Sequence, residues 1–102
     1  MKSPSDCTSI EEVRSAIDTI DQDILSLLGR RFQYVKTITR FKKTADDVRA
    51  LERYQAVLAK RREWAAAQGL DPDTIEEMYR LLIAHFIDEE LKELRLPANE
   101  AK

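Results

Sequence analysis

The sequence predicts an all-α protein of three helices, one far longer than the others, in a single domain over residues 1–102. Three observations carry that reading. Charged residues make up 35% of the chain, against two glycines and three prolines, which is the composition of a nearly all-helical protein. Apolar residues recur at alternating steps of three and four, the spacing of a helix face that is packed along its length. Turn-forming residues cluster at two internal places, KTADD at 43–47 and QGLDP at 68–72, so the chain falls into three segments.

Residues 1–7 contain Pro4 and polar side chains and form a short lead-in. Thr8 with Glu11, or Ser9 with Glu12, has the spacing of a capping box, in which a hydroxyl and a carboxyl satisfy the first free amides of a helix. Ile10, Val13, Ile17, Ile20, Ile24 and Leu27 then form an apolar seam. The helical pattern runs on to about Lys42, crossing Gly29, whose cost of ~1 kcal/mol relative to alanine points to close packing. A helix of some 33 residues is about 50 Å long. That exceeds what a compact monomer of this size can cover, so its ends must find partners elsewhere.

Thr44 and Asp47 repeat the cap spacing, which starts the second helix near Ala45. Its apolar positions are Val48, Leu51, Tyr54 or Gln55, Leu58 and Ala65, with Trp64 beside the last. Gln68-Gly69 ends it, glycine being the usual residue just past a helix C-terminus. Asp71-Pro72 opens the third helix, a cap followed by proline at the first helical position. Ile75, Tyr79, Leu82 and Phe86 form its stripe, and the next member of that series is Glu90. Pro97 and a polar tail finish the chain.

Charge is distributed unevenly. The formal net charge is −2, yet residues 29–43 hold Arg30, Arg31, Lys36, Arg40, Lys42 and Lys43 and no acid. The seam position after Leu27 is Arg31. If the helix continues, Lys42 lies within roughly 20° of the same face and about 16 Å further along the axis. A buried unpaired cation costs several kcal/mol, so such positions are paired with an acid, bound to an anionic ligand, or turned out of the core. Surface cations paired with neighbouring acids are the plainer reading; a ligand site is the sharper one. With Glu90 on the third stripe and Arg53 one turn beyond Arg49, cationic walls and a single carboxyl suit a small dianion better than a polymer. Arg14 lies about 25 Å and ~100° from Arg31 on the same helix, so one helix cannot bring both to one small ligand. A second chain in an antiparallel dimer can.

Several classes are disfavoured. No run of 18 apolar residues exists and the N-terminus lacks the apolar block of a signal peptide, so the chain reads as cytoplasmic, with no membrane partner. One cysteine and one histidine assemble neither an internal disulfide nor a Cys/His metal site within one chain. Cys7 reads as an inert thiol and His85 as an ordinary helix residue, with no serine or cysteine nucleophile placed beside it. The mildly acidic balance argues against nucleic acid.

The stretch IEEVRSAIDTIDQDILSLLGRRFQYVKTITRFK resembles the first helix of the all-helical chorismate mutase family, in Arg14, Ile17-Asp18-x-x-Asp21, Leu28-x-Arg30-Arg31 and Lys42. The helix lengths, Arg53 and the Gly69-Leu70-Asp71 turn extend the likeness over nearly the whole chain. Within the family the chain is most similar to the isochorismate pyruvate lyase branch of salicylate and siderophore biosynthesis. That similarity rests on MKSPSDCT, GRR-x-x-YVK-x-x-x-RFK, Glu52-Arg53, Arg61, Trp64 and Gln68-Gly69-Leu70-Asp71.

The resemblance implies an intertwined homodimer with two identical sites, each built from Arg31, Lys42, Arg53 and Glu90 of one chain and Arg14 of the other. It implies elimination of pyruvate from isochorismate to give salicylate, by a concerted pericyclic hydrogen transfer that uses no cofactor and no metal, with chorismate mutase activity as a weak accompaniment. Arg31 and Arg14 would clamp the substrate carboxylates, Lys42 and Glu90 would act at the ether oxygen, and residues 43–47 would close as a lid. Three positions depart from the mutase pattern. Ala50 and Tyr54 stand where mutases carry an acidic pair that holds the ring hydroxyl, and Glu90 stands where both branches carry glutamine. A neutral Glu90 can donate to the ether oxygen; an ionised one can only accept. Two other functions fit the sequence: a chorismate mutase on the same scaffold, and a non-catalytic helical module whose basic stretch binds an acidic partner or nucleic acid.

Overall fold

The computed structural model describes residues 1–42 and 44–94. Lys43, Pro97 and the polar tail therefore lie outside the described residues. Among those described, all regular structure is helical. A 3-10 turn at Pro4–Asp6 precedes α1 (Ile10–Ile38), a second 3-10 turn covers Thr39–Phe41, and α2 (Ala45–Arg49), α3 (Leu51–Ala67) and α4 (Pro72–Glu93) follow. The expected three segments are present, the second of them broken in two. The chain divides into two compact units after Tyr34. No helix among the described residues is long and apolar enough to cross a membrane.

In the N-terminal unit, the second of the two expected caps starts α1. The Glu12 amide donates to Ser9 Oγ at 3.1 Å, while Thr8 donates to the Glu12 carboxylate from both its amide and its hydroxyl. Lys2 closes on the same carboxylate at 3.1 Å. With the Thr8 bonds it holds that group below its ordinary range. The seam is exposed in the single chain, from 41% at Val13 to 57% at Ile10 and Leu27. At Gly29 an added methyl would meet nothing within 4 Å, so the close approach expected there is not made by any described residue of the same chain.

α1 ends four residues earlier than expected, at Ile38. Thr37, Ile38 and Thr39 are β-branched and poor at continuing a helix. The Thr39 hydroxyl also donates to the Lys36 carbonyl at 2.6 Å, a local bond that competes with the backbone ladder. One 3-10 turn later Lys42 is extended, at φ −112° and ψ 135°. Its side chain is therefore not aimed by the helical phase that the sequence reading carried forward from Arg31.

The C-terminal unit is organised around α4. Thr44 and Asp47 form the expected capping box of α2. Ala45 and Val48 of α2 pack with Leu91 of α4, flanked by Ile87 and Leu94. At Ala50 the backbone turns left-handed, φ 40° and ψ 63°, and α3 starts at the next residue. That break resets the phase. Val57, Leu58 and Ala65 are buried on α3, whereas Leu51, expected to continue the stripe of Val48, is 67% exposed.

α3 and α4 pack against each other as a hairpin. Gly69, at φ +74°, closes α3. The Leu70 amide donates to the Ala65 carbonyl and the Gly69 amide to that of Ala66, the paired bonds of a Schellman ending. Asp71 caps α4 by accepting from the Thr74 amide at 3.1 Å, ahead of Pro72. Across the hairpin, Arg62 reaches Asp73 and Glu76 at 2.8 and 3.0 Å and Arg80 reaches the Tyr54 hydroxyl, while Arg80 also pairs with Glu76 one turn back on α4. Arg61 lies over the rings of Trp64 and Tyr79.

Candidate functional site

The sharpest polar feature of the C-terminal unit is the meeting of Lys42 and Glu90. Glu90 is the buried charged residue of the described chain, 7% exposed, because it follows Phe86 by one turn on the inward stripe of α4. Its neighbour Leu91 fills the core against α2. The Lys42 ammonium donates to Glu90 Oε2 at 3.1 Å and to the Val48 carbonyl at 3.3 Å. Its side chain is 19% exposed and that of Glu90 8%. Residues forty-eight positions apart are thus joined by a charge-assisted bond that is sheltered from water.

An ammonium has three donors. Two are engaged here, and the third can serve an anionic oxygen. The pairing also bears on what Glu90 does: its oxygen accepts from Lys42, so in this arrangement it holds the ammonium in place.

The other expected site residues are distributed over two elements. Arg53 is exposed in the first turn of α3. Arg14, exposed, and Arg31, half-buried, belong to α1 in the N-terminal unit. Within the C-terminal unit, Lys42 and Glu90 are in direct contact. Ala50 and Tyr54 are near in sequence but different in role. Ala50 is the break between α2 and α3, and the Tyr54 hydroxyl accepts from Arg80 at 3.1 Å. His85 is exposed and tilts against Phe86, while Cys7 is half-buried with its thiol 3.7 Å from the Ser3 carbonyl.

Sequence reasoning missed the Val48 carbonyl as a partner of Lys42. A main-chain acceptor has no residue signature. The chain turns left-handed two residues further on, at Ala50, and alanine carries no local signal for such a turn.

The sequence profile of the family Chorismate mutase type II matches residues 13–91. The chain belongs to the chorismate mutase type II family. All five expected site residues fall inside the matched stretch. An isochorismate pyruvate lyase from Pseudomonas aeruginosa is 44% identical over 92 residues, which span 90% of this chain and 91% of that protein. A T-protein from Enterobacter agglomerans is 35% identical over 69 residues, 67% of this chain and 18% of that much longer protein. This chorismate mutase type II protein thus carries a lysine–glutamate ion pair, the glutamate buried and the lysine partly so, where α2 meets the end of α4.

Proposed function

We propose that this protein is an isochorismate pyruvate lyase, converting isochorismate to salicylate and pyruvate, with chorismate mutase activity as a minor accompaniment. The observation that carries the reading is the 44% identity to a lyase of that name over nearly the full length of both chains. It is supported by the placement of Lys42, whose ammonium is fixed by two acceptors and keeps one donor for a ligand.

In the reaction a hydrogen leaves the ring carbon that bears the hydroxyl and joins the methylene end of the enolpyruvyl group. The ether carbon–oxygen bond breaks in the same step, the ring becomes aromatic, and the ether oxygen becomes the carbonyl of pyruvate. No nucleophile is needed. The protein's task is to fold a flexible dianion into its reactive shape and to stabilise charge on the breaking ether oxygen. Lys42 supplies that stabilisation, and Glu90 keeps its ammonium on target. Arg31 and Arg53 of one chain and Arg14 of the partner subunit bind the carboxylates.

This assignment makes the working form a homodimer, intertwined along α1, in which residues 1–102 act as one domain. The exposed seam of α1 supports it, since an uncovered strip of isoleucine and leucine along a 29-residue helix is stabilised by association. Sedimentation equilibrium should give twice the chain mass of 11.8 kDa; a monomer at micromolar concentration would remove the basis for Arg14 acting across subunits.

The family name favours one second reading, a chorismate mutase converting chorismate to prephenate. Incubation with isochorismate and, separately, with chorismate discriminates the two. Salicylate from isochorismate is the expected product. Prephenate without salicylate would transfer the assignment to the mutase, and no product from either substrate would leave a non-catalytic helical module.

A further inference from the structure

Ala50 is the non-glycine residue with positive φ among those described. A left-handed alanine is uncommon, because its Cβ crowds the following carbonyl and it lacks the short polar side chain by which asparagine or aspartate bonds locally. Such a conformation persists when the surrounding contacts impose it, and it tends to occur where a site needs it. The contacts around Ala50 are specific. The Ala50 amide donates to the Asp46 carbonyl at 2.8 Å and closes α2, while the Ala50 carbonyl accepts from Tyr54 at 2.9 Å and opens α3. In an unbroken helix the Val48 carbonyl would accept from the amide of residue 52. Here it accepts from Lys42 Nζ instead, at 3.3 Å.

We infer that Ala50 is a positioning residue for Lys42: its left-handed turn stops α2 after one cycle and turns the Val48 carbonyl over to the Lys42 ammonium, which Glu90 also holds. The idea rests on the lyase reading for its catalytic consequence, but not for its geometry. Without the break, α2 and α3 fuse, Val48 bonds within the helix, and Lys42 keeps a single acceptor on a long flexible stem. A misplacement of about 1 Å at a charge-stabilising group lowers turnover by roughly a hundredfold.

Two substitutions separate this from a general need for a stable fold. Ala50→Gly adopts positive φ without steric cost, so kcat on isochorismate should stay within about twofold of wild type. Ala50→Val cannot adopt the turn comfortably, since β-branched residues are outliers there. Its kcat should fall by roughly tenfold or more, with KM moving much less. A geometric readout runs beside the kinetics: brief acetylation with acetic anhydride, followed at Lys42 and Lys60 by mass spectrometry. In the wild type, Lys42 should react more slowly than the exposed Lys60; in the valine variant its rate should rise severalfold while that of Lys60 does not. A folded valine variant with wild-type kcat and an unchanged Lys42 rate overturns the inference, and so does a tenfold loss in the glycine variant. Should the valine variant fail to fold, the glycine variant decides alone, by preserved kcat and Lys42 protection or by their loss. Wild-type protein that makes no salicylate sinks the lyase reading, and the acetylation rates still decide the role of Ala50.

Discussion

Replacing Lys42 by methionine removes the ammonium and keeps most of the aliphatic stem, so the stability of this variant reports on the pair with Glu90. At 3.1 Å and an effective dielectric constant of about 20, the direct attraction is about 5 kcal/mol. Most of that is offset by taking both ions out of water, so the net value of an intact pair is small. Breaking it is different. The Glu90 carboxylate, 8% exposed, is left without its cation, and the expected loss is about 2–3 kcal/mol. Urea unfolding followed by circular dichroism, at one fixed protein concentration because the proposed dimer would make stability depend on it, should move the midpoint down by about 1–2 M. Glu90→Gln keeps an acceptor for Lys42 and should cost about 1 kcal/mol. The double variant should lose less than the two single losses together, by roughly 1–2 kcal/mol, since a neutral amide tolerates the missing cation. Additive losses, or a Lys42→Met midpoint equal to that of wild type, would refute the coupling of these two residues.

Arg14→Ala and Lys42→Ala should each lower kcat by orders of magnitude, and refolding an equal mixture of the two chains should restore about a quarter of wild-type activity, because half of the dimers then hold one intact site. No recovery would place Arg14 outside the partner's site. Ile20→Asp, in the exposed seam of α1, should give a monomeric mass in sedimentation and abolish turnover together. Arg80 first, and Arg62 with it, hold the Glu76 carboxyl below its ordinary range. A depressed carboxyl contributes stability above the ordinary carboxylate range and loses it as pH falls through the lowered value. Glu76→Gln should therefore lower the urea midpoint at neutral pH and much less under acid conditions; an equal deficit at both would assign the loss to packing.

What was legible in the sequence is what local chemistry dictates. The caps at Ser9, Thr44 and Asp71 and the glycine ending at Gly69 are set by side-chain oxygens and by one residue without a Cβ, so they fell where the spacing placed them. The inward position of Glu90 followed from a continuous 3.6-residue period through Ile75, Tyr79, Leu82 and Phe86. Extrapolating that same period failed at two places. At residues 37–39 a β-branched run and the Thr39 hydroxyl compete with the helix, α1 ends, and Lys42 is placed by an extended backbone. At Ala50 a left-handed turn divides the expected helix, and Leu51, just past it, lies on the surface instead of the buried face. The cationic pocket was read from charge in helical register, whereas the contact that forms joins an extended lysine to a carboxylate on α4.

On the proposed reading, that contact gives Glu90 a physical role different from that of the glutamine which the family resemblance implies at this place. A glutamine amide can donate to an ether oxygen and leave the lysine to find its own position; a carboxylate paired with the lysine fixes the position and offers the ether oxygen no hydrogen. Under the proposed function, the donor at that oxygen is Lys42, through the one N–H that neither Glu90 nor the Val48 carbonyl takes. One acid set against four cations also leaves the proposed site with a positive excess larger than the charge of a dianion, so binding does not need the neutral amide. Turnover in Glu90→Gln distinguishes the two arrangements. If Lys42 is the donor and Glu90 its anchor, the variant should lose kcat in step with the mobility of Lys42, and acetylation at Lys42 should quicken. A gain in kcat with Lys42 still protected would mean that the amide serves the ether oxygen directly and that the carboxylate hinders it.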